Sequence, residues 1–263
     1  MNIVVLIKQV PESEALVRVQ ADGSGVEIED RYCLNFFDSL AVEEALRIKE
    51  RLGSGTVTCI TLGTQKSIEV LRTAIAMGAD GAILLEDPAF AGGDEYATAK
   101  ALAAALKKLD FDLILCGREA FDDCSGIVGP LVAEFLGIPH ITSVIKLDLS
   151  PENQAVIVER QVENGKEIIK APFPVLLAAQ KGLNEPRVPS VMGVMRATRA
   201  EIKKLDLAAL GLTQAEVGQE GSQEEIVRYQ RPSSRPPVTM MQGAAADAVK
   251  QLVKCLREAA KVV

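Results

Sequence analysis

The residues whose types and spacing could do chemistry fall in three short segments. They are Lys8-Gln9-Val10-Pro11-Glu12, Leu62-Gly63-Thr64-Gln65, and the run Gly117-Arg118-Glu119-Ala120-Phe121-Asp122-Asp123-Cys124-Ser125-Gly126. The last two stand immediately before helical patterns. Ser125-Gly126 at a helix start offers an N-cap hydroxyl, free backbone N–H groups and the positive end of a helix dipole, together an anion site suited to phosphate. Gly126 and Gly129 allow close backbone approach. A plainer reading stays open, in which Asp123 or Ser125 caps the helix and the glycines only turn the chain. Asp122 and Asp123 could pair on a metal or act as acid and base; without a His or third acid nearby they read as loop caps and solvated charges. The chain carries no P-loop and no G-x-G-x-x-G after its first strand. These residues describe a nucleotide site without a catalytic engine.

Composition narrows the choice. The 263 residues hold five Cys, one His, no Trp and a formal net charge of −7. At 48% hydrophobic and 25% charged the chain has ample core for one large domain, or one with an appendage. The acidic balance argues against a nucleic-acid surface, which needs clustered Lys and Arg. His140, the only imidazole, removes Cys₂His₂ and His₃ zinc sites. It follows Ile138-Pro139 and reads as part of a helix-to-strand connection. Cys33, Cys59, Cys116, Cys124 and Cys255 include no C-x-x-C pair and read mainly as packed thiols of a reducing compartment, Cys124 in its loop excepted. Met1 to Lys8 lacks the basic start and cleavage site of a signal peptide. No apolar stretch approaches the ~20 residues that span a bilayer. The expectation is a cytoplasmic protein.

These segments need elements to position them. Apolar runs at Ile3–Ile7, Thr56–Leu62, Ala82–Leu85 and Leu113–Cys116 alternate with four helical patterns. The helices carry Ala41, Val42, Ala45 and Leu46; then Ile68, Leu71, Ala74 and Ile75; then Ala99, Leu102, Ala103 and Leu106; and last Ile127, Val128, Leu131, Val132 and Phe135. Gly78 and Gly137 close the second and fourth. Such alternation predicts an α/β fold, an open, mostly parallel sheet with helices on both faces. Its ligands would bind at the carboxyl ends of the strands, where the three segments lie. Further strands are expected at Ile141–Leu149, Ala155–Val162, Glu167–Lys170 and Val175–Ala179, with a hairpin at Asn164-Gly165. Residues 182–199 show almost no periodicity. Gly211 to Pro237 reads as an extended linker, and a last amphipathic helix carries Val249, Leu252, Val253, Leu256 and Ala260 on one face. The expected division is an α/β domain over 1–200 and a linker with a helical arm over 201–263.

Along nearly its whole length the chain resembles the beta subunit of electron-transfer flavoproteins. The opening strand with Lys8-Gln9-Val10-Pro11 resembles that family's first turn. Asn35-Phe36-Phe37-Asp38 before Ala41-Val42-Glu43-Glu44-Ala45-Leu46 is similar to its Asn-Pro-Phe segment and following helix. Thr73 to Asp80, Gly117 to Asp123, and Leu183-Asn184-Glu185-Pro186-Arg187 with Met195-Arg196-Ala197 match further stretches in the right order.

The resemblance implies an adenine nucleotide alpha hydrolase-like fold and a heterodimer with an alpha subunit, which supplies most of the site for an electron-carrying FAD. It implies a second adenine nucleotide in the beta subunit, AMP in ordinary members and a second FAD in electron-bifurcating ones. The pocket would be lined by Leu6, Asn35, Phe36, Phe37, Asp38, Leu62, Glu119, Ala120, Asp122, Asp123, Cys124, Ser125, Gly126, Ile127, Val128 and Gly129, with no metal and no catalytic residue. Leu183, Asn184, Glu185, Pro186, Arg187, Val191, Met195 and Arg196 would belong to a recognition loop, 182–199, that docks acyl-CoA dehydrogenase-type donors and an acceptor oxidoreductase. Three departures matter. Val191 falls where the family has an anchor leucine, and Phe36 replaces a proline. The loop Asp122-Asp123-Cys124-Ser125 carries the extra acid of AMP-binding members, yet Val128-Gly129-Pro130 is the ending of bifurcating ones. Extra carboxylates disfavour the added charge of a diphosphate, so AMP is the expected ligand. An ATP-activating hydrolase-like enzyme, with Asp122 and Asp123 on a metal, and a nucleotide-sensing module are the competing readings.

Overall fold

Continuous apolar runs pay no penalty for burial on both faces only when helices cover both, and the computed structural model has that layered form. It describes residues 1–150, 154–235 and 237–262; residues 151–153, in the expected turn before Ala155, and residues 236 and 263 of the expected arm lie outside the described residues. In chain order come β1 (Asn2–Leu6), β2 (Gln9–Pro11), β3 (Val17–Val19), β4 (Val26–Ile28), β5 (Tyr32–Leu34), α1 (Phe36–Leu52), β6 (Thr56–Leu62), α2 (Ile68–Met77) and β7 (Gly81–Leu85). Then follow α3 (Glu95–Leu106), β8 (Leu113–Gly117), α4 (Val128–Leu136), β9 (His140–Ser150), β10 (Ala155–Val162), β11 (Gly165–Pro172) and β12 (Val175–Ala179). The last are α5 (Val191–Arg199), β13 (Lys203–Leu205), α6 (Leu207–Leu210), α7 (Gly218–Gly221) and α8 (Ala245–Glu258).

A nine-stranded sheet runs in the order β11-β10-β9-β12-β8-β1-β6-β7-β13. Neighbours from β9 to β13 along that order are parallel, and β10 joins β9 and β11 antiparallel as a hairpin at one edge. One core lies between the sheet and α1, α2 and α5; the other lies under α3, α4 and α6. The chain winds outward from β1 to β6 and β7, then returns to β8 on the other side of β1. The crevice between β1 and β8 is therefore a topological switch point, where sheets of this kind bind ligands.

Four expectations need correction. Residues 191–199 form a helix, α5, whose Val191, Met192, Val194 and Met195 fall at helical spacing but face outward, Ala197 being its only buried residue. Ser190 caps it by accepting the Gly193 N–H at 3.0 Å. A Cβ on Gly193 would lie 2.2 Å from the Ala76 carbonyl oxygen, so only glycine lets α5 approach α2 this closely. Next, β13 adds a strand to the main sheet beyond residue 200, and Leu210 and Val217 are buried under it, so the extended run begins only after α7. Third, α4 starts at Val128 with Ile127 in the cap position, so Ser125 stands two residues too early for its hydroxyl to cap the helix; its own N–H donates to Asp123 Oδ1 at 3.0 Å. Last, only Cys59 and Cys116 are buried, while Cys33, Cys124 and Cys255 are exposed. The short strands β2 to β5 also went unread, being too brief to alternate. The α8 face with Val249, Leu252 and Val253 is exposed and covers none of the core.

Candidate functional site

Asp38 occupies the floor of the switch-point crevice. Its Oδ2 accepts the Lys8 N–H at 2.7 Å, just past β1, and its Oδ1 accepts the Gly117 N–H at 2.8 Å, at the end of β8. One carboxyl thus ties together the two loops whose strands part there. A Cβ on Gly117 would stand 2.4 Å from Asp38 Oδ1, which explains a glycine at the end of an apolar strand. Burial pushes the Asp38 carboxyl up to about 7, against the pull of the two backbone donors.

Asn35, also buried, holds the next stretch. Its Nδ2 donates to the Glu119 carbonyl at 2.9 Å and its Oδ1 accepts the Phe121 N–H at 3.1 Å. Lys8 Nζ reaches Asp122 Oδ1 at 2.8 Å and Asp123 Oδ2 at 2.7 Å. The acids expected as solvated charges are therefore gathered on one lysine. Its own burial works to lower the Lys8 pKa, and the two carboxylates more than offset this, leaving it raised. Arg118 pairs with Glu119 at 2.7 Å and sits 5.8 Å from the Phe37 ring centre.

Above this floor opens a cavity of about 1100 Å³, at the upper end of small-ligand sites. Leu6, Asn35, Asp38, Leu62, Glu119, Ala120, Asp123, Ser125, Gly126, Val128 and Gly129 all line it. Phe36, Phe37, Asp122, Cys124 and Ile127 do not line it. Phe36 and Ile127 are turned to the exterior, Phe37 packs against the core and Asp122 is drawn to Lys8. At the mouth of α4 the N–H groups of Gly126, Ile127, Val128 and Gly129 donate to no acceptor among the described residues. Four successive free donors at a helix start fit a phosphate group, the backbone serving where the expected Ser125 cap does not. No group of three or more His, Cys, Asp and Glu side chains among the described residues could hold a metal ion. Nor is any described helix long and apolar enough to cross a membrane.

The electron transfer flavoprotein domain model matches residues 25–210. A Thermoanaerobacterium thermosaccharolyticum protein named electron transfer flavoprotein subunit beta is 42% identical over 257 residues, 97% of this chain and 98% of that protein. The chain belongs to the electron transfer flavoprotein beta-subunit family. The Bacillus subtilis protein of the same name is 37% identical over the full length of both chains. The caffeyl-CoA reductase-Etf complex subunit CarD of Acetobacterium woodii is 36% identical over 98% of each. As a beta subunit of this family, the chain is an electron-transfer component rather than an enzyme.

The structure divides the residues expected in this beta subunit's recognition loop into an anchored set and a displayed set. Asn184 Nδ2 donates to the Leu40 carbonyl at 3.0 Å and to Glu44 Oε2 at 3.1 Å, and Leu183 packs on the core. Glu185 gives its carbonyl to Arg47 at 3.3 Å, and Pro186 is half-buried beside it. Arg187 grips buried Glu43 through its Nε at 2.7 Å and Glu50 through Nη1 at 2.6 Å. Arg196 donates to the Ile75 carbonyl at 2.7 Å, at the C-terminal end of α2 where a cation is favoured. Val191 and Met195 point outward with Met192 and Val194, all exposed.

Several cavity residues escaped the sequence reading. Arg118 and Lys8 were legible, since both sit directly after parallel strands. Asp94, Thr98, residues 222–226 and Tyr229 were not, because they come from the start of α3 and from a segment that reads as linker.

Proposed function

We propose that this chain is the nucleotide-holding beta subunit of a heterodimeric electron-transfer flavoprotein, with AMP in its own cavity. The observation that carries this reading is the run of free N–H groups from Gly126 to Gly129, of which Gly126, Val128 and Gly129 border the cavity at the switch point. Leu6 and Leu62 would lie under the adenine, and the α4 start would hold the phosphate. AMP is favoured because the nearby cations are already paired, Lys8 with Asp122 and Asp123 and Arg118 with Glu119. A monophosphate would then meet neutral backbone donors, with little free positive charge to offset a diphosphate. The cavity volume favours a second reading, a second FAD and electron bifurcation. The FAD seated largely by the alpha subunit supplies electron storage when bound. This chain's part is to hold the nucleotide, frame the partner and present its docking face.

The test is to purify the heterodimer, denature it and count released nucleotides. One FAD and one AMP per heterodimer are expected; two FAD would replace AMP with the second reading, and a colourless complex without nucleotide would sink both.

The alpha subunit would be clasped by the segment beyond Tyr229 and by the exposed apolar face of α8. Removing residues 231–263 leaves both cores untouched. The truncated chain is expected to keep its melting temperature but to release the alpha subunit on dilution, as read by size-exclusion chromatography. A truncated complex that stays together at nanomolar concentration would refute the clasp. The exposed Val191, Met192, Val194 and Met195 would be the apolar contact for acyl-CoA dehydrogenase-type donors and an acceptor oxidoreductase, with the complex working in the cytoplasm.

A further inference from the structure

Asp94 makes more contacts than a helix cap requires. Its Oδ1 caps α3 by accepting the Ala97 N–H at 2.8 Å. Its Oδ2 accepts two N–H groups from far along the chain, Gln223 at 2.5 Å and Glu224 at 3.0 Å. Its own N–H donates to Ser222 Oγ at 2.9 Å. Seven residues beyond Ser222, the Tyr229 N–H donates to the Gly23 carbonyl at 2.9 Å, in the turn between β3 and β4. The chain from Ser222 to Tyr229 is thus tied at both ends, and Glu225 and Ile226 between the ties border the same cavity as Gly126 and Gly129.

We propose that residues 222–229 form an outer wall of the nucleotide site, and that Asp94 is the positioning residue that fastens it. The inference rests on the nucleotide reading above and goes beyond it. A ligand on the α4 start would face this wall across the cavity, and swinging the wall away from α3 would widen its way out. The two oxygens divide the labour: one caps a helix, the other holds the wall. The rate of nucleotide release then follows the opening of this segment, as it does for other covering segments.

That division of labour makes the test selective. Asp94→Asn can keep its amide oxygen on the Ala97 N–H, since asparagine is a good cap, while its NH₂ confronts the two wall donors. In the full heterodimer loaded with AMP, Asp94→Asn is expected to speed AMP release about tenfold, equivalent to about 1.4 kcal/mol. Ser222→Ala is expected to act in the same direction. Amide exchange of residues 223–229 should quicken, while the melting temperature and the flavin content stay as in the parent. Faster exchange with unchanged release would overturn the wall and leave the nucleotide reading standing. Acceleration in Asp94→Ala but not in Asp94→Asn would trace the effect to the lost helix cap and overturn the fastening role. A parent complex that yields no nucleotide on denaturation would remove the nucleotide reading and this inference together.

Discussion

Replacing Asp38 with alanine is expected to lower the stability of the chain by about 2 to 6 kcal/mol and to empty the nucleotide cavity. The Lys8 and Gly117 N–H groups each lose their acceptor, and a buried donor left unpaired costs about 1–3 kcal/mol. The loops after β1 and β8 lose their common tie at the same time, so Lys8 no longer presents its ammonium to Asp122 and Asp123 from a fixed base. Chemical denaturation with and without saturating AMP measures both effects. A stable variant that retains nucleotide would show that the crevice closes without this carboxyl. The pH dependence has a definite sign. Burial lifts the folded-state pKa to about 7 from an ordinary value of 3.8, so between those values the folded chain binds a proton that the unfolded chain lacks. Stability from this group therefore falls as pH rises from about 4 to about 7, by at most about 1.4 kcal/mol per pH unit, and levels off above. Asp38→Asn, which has no proton to lose, should abolish that slope.

The second large effect is expected at Glu43. This buried carboxylate accepts the Arg187 backbone N–H at 3.1 Å and its Nε at 2.7 Å, and the Arg47 Nε at 2.7 Å. Glu43→Ala should cost about 3 kcal/mol, as expected when one partner of a buried ion pair is removed, and should loosen residues 182–199. Docking of an electron donor is then expected to weaken while AMP content holds, because Glu43 lies more than a turn beyond Asp38 along α1 and does not border the cavity. Loss of AMP in step with docking would refute that separation. Burial alone would raise the Glu43 carboxyl, but the arginine hydrogen bonds outweigh it and hold it below the usual range. Its contribution is thus present above pH about 4.5 and fades as acid is added, the reverse of Asp38.

How much of this the sequence carried depends on whether burial left a period. Strands β1, β6, β7 and β8 carry no charged residue and the helices after them bury one face, so these elements were legible, unlike β13 with Lys203 and Lys204. The Asn164-Gly165 turn marked the edge hairpin. By contrast, α5 buries one alanine and turns its apolar residues outward, while arginines on carbonyl groups hold it to the body, so its helical spacing points to no core. In the site, the glycine and acid spacing after β8 marked the loop that borders the cavity with free N–H groups. The expected cap at Ser125 is absent because α4 begins at Val128, two residues later than a Ser125 cap would start it. Asp94 and Ser222 lie more than a hundred residues apart and meet only because β13 and α6 return the chain across the sheet.

The strand order also has a consequence during synthesis. The last strand to join, β13, closes the edge offered by β7, and the β10–β11 hairpin closes the other side; both come late in the chain. At ordinary translation rates, β7 waits on the order of 6 to 24 s, about 120 residues, before its neighbour leaves the ribosome. Through that interval the nascent chain carries an open parallel edge, a ready template for pairing with another copy. The stretch after α5 is therefore a sealing segment for the young polypeptide, and chains that stall before residue 205 should be the ones that aggregate.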